Sequence, residues 1–157
     1  MVVLGSAGIL LINYKGYAKI DDISATIAGI FGLGVCAFPM CYLPEPETRT
    51  GVFHLVSSTS DIFHCICAAG FFGTLAFMSF FLFTKTSGEM TKQKKIKNII
   101  YRVCGIGMVG SFFLFFLKLI PGAPYNLTWI IEAIALFFFG FSWIVKSNAF
   151  PWWRDQK

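Results

Sequence analysis

Apolar residues in this chain run in long blocks separated by short polar turns, and each block is apolar on every face. Val2 to Asn13 is the first block, and Lys15, Lys19, Asp21 and Asp22 mark the polar turn after it. Ile23 to Tyr42 then continues for about twenty residues without a charge, the length a helix needs to cross hydrocarbon. A third block leads up to Lys85, a fourth runs from Ile99 to Ile120, and a fifth from Leu127 to Val145. The pattern predicts helices, because lipid-embedded backbone must satisfy its own hydrogen bonds.

The expected architecture is therefore an all-α, polytopic transmembrane helical bundle of about five spans, over residues 2–18, 23–42, 62–84, 99–120 and 127–145. All belong to a single transmembrane domain. The first block is short, rising about 18 Å against about 30 Å of hydrocarbon. It crosses only if Tyr14 to Ala18 join it with Lys15 snorkelling to the headgroups, or if the natural start lies upstream and this is the tail of a longer helix in a six-span protein. The helix of the third span is expected to start near Ser58, where Ser58-Thr59-Ser60-Asp61 has capping-box form. Ser24, Ala28, Gly32 and Cys36 recur every fourth residue in the second span, a stripe that lets helix backbones approach closely. Gly105, Gly107, Gly110 and Ser111 offer the same in the fourth. Pro39 is expected to kink the second span, with Pro44 and Pro46 closing it.

Composition agrees with this reading. Hydrophobic residues make up 56% and charged residues 13%, against roughly a quarter charged in a soluble domain. The net charge of +5 does not point to nucleic acid, since no zinc-finger or RNA-binding pattern is present. Lys85, Lys92, Lys94, Lys95 and Lys97 instead form a basic loop over 85–98 that sets orientation. With Lys15 and Lys19, and with Lys146, Arg154 and Lys157 at the end, alternate polar segments agree on a cytoplasmic C-terminus. Trp129, Trp143, Trp152 and Trp153 fall where interfacial rings belong. No basic residue precedes the first apolar block, which argues against a cleavable signal peptide. The expected place is a bacterial cytoplasmic membrane, and the expected partners are the lipid bilayer and either a membrane-protein partner or further copies of the chain.

Ionisable residues within a membrane are costly, so each is a functional candidate. Asp61 and His64 share one helical face near the outer end of the third span, and Glu132 lies about 8 Å into the fifth from its outer end. His54, in the preceding loop, could fold back to join them. Carboxylates and imidazoles together suit Zn²⁺, and three ligands with an open position would activate a water; Asp61, His64 and Glu132 are then the candidate catalytic residues, with His54 a further candidate metal ligand. The structural alternatives are that Asp61 caps its helix, Glu132 pairs with Lys118, and His64 is neutral and hydrogen-bonded. Of the five Cys, Cys41 stands at a height where Cys65 or Cys67 could meet it in a disulfide, although buried cysteines serve as readily as small apolar residues.

Several segments carry a resemblance: Phe38-Pro39, His54, Ala68-Ala69-Gly70-Phe71-Phe72, Phe81-Leu82-Phe83-Thr84, Asn98 to Gly105, Trp129 to Leu136 and Phe141 to Lys146. Together they resemble an uncharacterised group of bacterial multi-pass membrane proteins, to which no activity attaches. More remotely the chain is similar to the membrane hydrolases that include alkaline ceramidases and the progestin and adiponectin receptors. That likeness implies zinc held by an early His and Asp, matched by Asp61 with His64 or His54. The late paired His of that superfamily has no counterpart, and Glu132 is its sole substitute. Two functions follow. The favoured one is a non-catalytic membrane component, an accessory, sensor or immunity-type protein packing through its small-residue faces. The alternative is a metal-dependent lipid or amide hydrolase with an outward-facing site.

Overall fold

The computed structural model describes residues 2–40, 49–86, 90–114 and 127–147. Five α-helices follow in order: α1 (Val2–Ile12), α2 (Lys19–Ala37), α3 (Ser57–Phe77), α4 (Lys92–Leu114) and α5 (Leu127–Lys146). A two-stranded antiparallel hairpin, β1 (Arg49–Thr50) and β2 (Leu55–Val56), joins α2 to α3. The fold is all-α, as the apolar blocks require. Lys19–Ala37, Ser57–Leu82 and Leu127–Lys146 are each long and apolar enough to cross a membrane. The chain divides into two compact units, Met1–Thr74 and Leu75–Lys157, with the division inside the second of these long segments, Ser57–Leu82.

In the first unit, α1 stops at Ile12, so the continuation through Tyr14 to Ala18 is not made. The cause lies in the first turn of α2. Asp21 Oδ2 accepts the backbone N–H of Tyr17 at 3.0 Å and of Ala18 at 3.2 Å, and Asp22 Oδ1 accepts that of Gly16 at 2.7 Å. These donors are drawn to the N-terminus of α2, where carboxylates also complement the helix dipole. Gly16 is required, because a Cβ there would lie 2.3 Å from Asp21 Cβ. With 11 residues, α1 rises about 16 Å, roughly half the hydrocarbon thickness.

Helices α1 and α2 meet backbone to backbone. A Cβ on Gly29 would stand 2.5 Å from Gly8 O and 2.6 Å from Ile12 Cγ1. Ser24, Ala28 and Gly32 of the expected stripe are buried and Cys36 half-buried, while Gly29, in the neighbouring row, makes the closest approach to α1. Rings and a thiol from α2 and α3 fill the remaining gaps: Phe31 lies over Gly70, Phe71 against Gly32, and Cys67 against Gly34. Helix α2 begins four residues before the expected span and ends ahead of Pro39 rather than bending at it. Phe38, which precedes the proline, leaves helical geometry at φ −115° and ψ 78°, as the proline ring demands of its neighbour.

Helix α3 starts at Ser57, one residue ahead of the expected Ser58.

In the second unit the chain from α3 continues as a π-helical turn, Met78–Leu82, closed by Phe83 N–H to Met78 O at 2.9 Å. Ser79 on this turn donates to Ser142 on α5 at 3.2 Å, both buried. Phe80 packs on Gly105 of α4, and Phe138 of α5 on Gly107. A Cβ on Gly110 would meet nothing within 4 Å. Helix α4 starts at Lys92, so residues 92–98, expected as part of the basic loop, are helical. Thr91 Oγ1 caps this start by accepting Lys94 N–H at 3.1 Å, and Lys and Gln are good helix formers. The end of the expected fourth span, 115–120, lies outside the described residues, as do Lys118, Pro44, Pro46, Trp152, Trp153, Arg154 and Lys157. Helix α5 runs one residue past the expected fifth span.

Candidate functional site

Residues singled out from the sequence gather at the C-terminal end of α2. Helix ends leave carbonyls without intrahelical partners, and a proline close behind removes one more backbone donor. Three consecutive carbonyls here receive donors from elsewhere in the first unit. Ala37 O accepts Val52 N–H at 3.4 Å, Phe38 O lies 2.8 Å from His64 Nδ1, and Pro39 O accepts the Ser60 hydroxyl at 2.9 Å. A carbonyl can only accept, so Nδ1 of His64 carries the proton and, in the neutral ring, Nε2 is the acceptor nitrogen. Ser60 and His64 are four apart and thus stand on one face of α3.

Burial tightens this junction. His64 is 3% exposed and Ser60 fully buried. The Phe38 ring is stacked between Phe53 and Phe63, with centroids at 5.3 and 5.1 Å. Gly51 turns the hairpin with φ 76°, and a Cβ on it would lie 2.7 Å from Ala37 O. Only glycine adopts that φ without cost while letting the hairpin seat so closely on α2.

The other candidates are placed as follows. His54 is exposed on the hairpin turn at φ 48°, a left-handed conformation uncommon outside glycine, and its N–H donates to Gly51 O at 3.3 Å. Asp61 is half-buried on α3, three residues before His64. Glu132 is half-buried on α5 and belongs to the second unit, whereas His54, Asp61 and His64 belong to the first. Among the described residues no group of three or more His, Cys, Asp or Glu is placed to hold a metal ion. Cys67 and Cys104 are free thiols, and Cys41, the expected disulfide partner of Cys65 or Cys67, lies outside the described residues.

A second polar assembly, not foreseen from the sequence, lies in the second unit where the π-helical turn ends. Lys94 Nζ donates to Phe83 O at 3.0 Å and lies 5.8 Å from the centroid of the Tyr101 ring. Lys146 Nζ stands 5.1 Å over the Phe83 ring, which contacts Tyr101 at 5.5 Å and Trp143 at 5.6 Å. Lys97 is only 4% exposed. Ammonium groups here complement the negative end of a helix dipole and the faces of aromatic rings. The signal was present in the spacing: Lys94, Lys97 and Tyr101 recur at helical intervals, a pattern hidden by reading every lysine as loop.

No protein-family model, curated protein or solved structure significantly matches this chain.

Proposed function

We propose that this chain is a multi-pass integral membrane protein of non-catalytic role, an accessory, sensor or immunity-type component of a bacterial cytoplasmic membrane. The observation that carries the reading is the His64 ring, buried and bonded through Nδ1 to Phe38 O at 2.8 Å. Its chemistry there is that of a helix cap. Ser60 does the same for Pro39 O, so the polar residues at the start of α3 hold the α2 terminus in place. Three segments of sufficient length and apolarity support the membrane setting. Lys85, Lys92, Lys94, Lys95 and Lys97, together with Lys146, support a cytoplasmic side for the end of the second unit that carries them. Helix–helix contact through Gly8, Gly29, Gly70, Gly105 and Gly107 is the means of assembly within each unit, and the bilayer is the surrounding partner.

The test compares wild type with His64→Ala and His64→Gln in mild detergent, measuring metal content and thermal stability. His64→Ala is expected to lose about 1–3 kcal/mol, since the part-buried Phe38 carbonyl loses its donor and a buried ring is removed, and His64→Gln to recover part of that loss. Metal content is expected to be negligible in all three. Stoichiometric zinc in wild type that disappears in His64→Ala would overturn the proposal in favour of a hydrolase built on Asp61, His64 and Glu132 with His54.

A further inference from the structure

Helix α4 presents two opposite arcs. The buried arc holds Lys97, Tyr101, Cys104, Gly105, Met108 and Ser111. The exposed arc carries Lys92, Lys95 and Arg102 in its first three turns, among the large aliphatic side chains of Ile99, Val103 and Ile106. Ile99 is 62% and Ile106 63% exposed, an arrangement that water disfavours and acyl chains favour. The helix contains no acidic residue to neutralise the arc. Lys95 and Arg102 are seven apart, two turns along the same side and about 10 Å along the axis. Both side chains lean alike toward the helix N-terminus, so their roots stay about 10 Å apart, a gap that two extended, exposed side chains can close on one headgroup from either side. One planar, bidentate donor and one ammonium thus flank the same stretch of the arc, beside a ladder of Ile and Val.

We propose that this arc of α4 binds an anionic phospholipid, with Arg102 and Lys95 on its phosphate and Ile99, Val103 and Ile106 against an acyl chain. The proposal rests on the membrane reading above and adds the class of lipid and the residues that choose it. Guanidinium recognises a phosphodiester in bidentate fashion, and the positive end of the α4 dipole lies on the same side. An anionic headgroup is preferred over a zwitterionic one because the latter brings its own cation to an arc that already holds three.

The test uses the full chain reconstituted into vesicles of phosphatidylglycerol or phosphatidylcholine with identical acyl chains. Lipid retained after extraction into mild detergent is titrated by native mass spectrometry. Phosphatidylglycerol is expected to bind more tightly than phosphatidylcholine. Arg102→Gln and Lys95→Gln should each weaken phosphatidylglycerol about fivefold without changing phosphatidylcholine. Lys85→Gln, exposed and outside α4, should leave both unchanged. Equal binding of the two lipids, an equal loss in Lys85→Gln, or displacement by inorganic phosphate at matched concentration would each overturn the proposal. A chain that enters neither vesicle would overturn the membrane reading, and this proposal with it.

Discussion

Substituting Gly29 by Ala probes the closest backbone contact in the first unit. The added methyl would lie 2.5 Å from Gly8 O, 2.6 Å from Ile12 Cγ1 and 3.0 Å from Ile12 N. Two of those three atoms are backbone, so no side-chain rotation relieves the overlap and α1 must move. Overpacking costs about 1–3 kcal/mol, and the upper part of that range, about 2–3 kcal/mol, applies where the overlap is mainly with backbone. The intrinsic helix preference of Ala over Gly returns up to about 1 kcal/mol. A net loss of about 1–2 kcal/mol remains, a fall in melting temperature of roughly 2–8 °C for a chain of this size. Gly110→Ala is the matched control: nothing stands within 4 Å of its new methyl, so only the propensity term acts and stability should rise slightly. Both variants are compared by thermal unfolding in mild detergent. Equal stability of Gly29→Ala and wild type would refute the packing of α1 on α2, and a loss in Gly110→Ala would contradict the open space beside that residue.

Two further outcomes follow from local contacts. The 3.2 Å bond between Ser79 and Ser142 should appear in a double-mutant cycle to Ala as a coupling of about 0.6 kcal/mol, and strict additivity would contradict it. Burial, with Asp21, Tyr17 and Asp22 adding to it, pushes the Tyr14 phenol above its ordinary 10.0. The unfolded chain therefore loses this proton first as pH rises past 10, and stability contributed by the neutral phenol declines from there upward. Tyr14→Phe should remove one late step from the phenolate absorbance titration and lessen the alkaline loss, and an unchanged titration would count against that environment.

Most of the helical plan was legible, and the failures have specific causes. Helix α5 was read almost to the residue because an uninterrupted apolar block, Leu127 to Val145, is closed by Lys146. The end of α1 was hidden because it depends on Asp21 and Asp22 reaching back to Gly16, Tyr17 and Ala18, a local competition that hydropathy does not register. The start of α4 was missed because Lys and Gln are polar, which suggests loop, and are also strong helix formers, which builds helix once Thr91 caps them. The stripe on α2 was visible, but its partner Gly8 belongs to another helix and no periodicity names it. For the candidate site, Asp61 and His64 were rightly placed on one helix, yet the acceptor of His64 stands 26 residues away at a terminus that Pro39 defines. The π-helical turn at Met78–Leu82 has no sequence mark beyond its apolar composition.

The central claim is that the chain crosses a membrane with the basic end of its second unit in the cytoplasm. It is tested most directly by single cysteines placed at Val52 and Lys92, in a background where the five native cysteines are replaced by Ala. The two positions are joined by one long apolar segment, Ser57–Leu82, which crosses the membrane once on this account. In intact bacterial cells a membrane-impermeant maleimide should label Val52→Cys and leave Lys92→Cys unlabelled until the membrane is opened. Labelling of Lys92→Cys in intact cells, with or without labelling at Val52→Cys, would contradict the account.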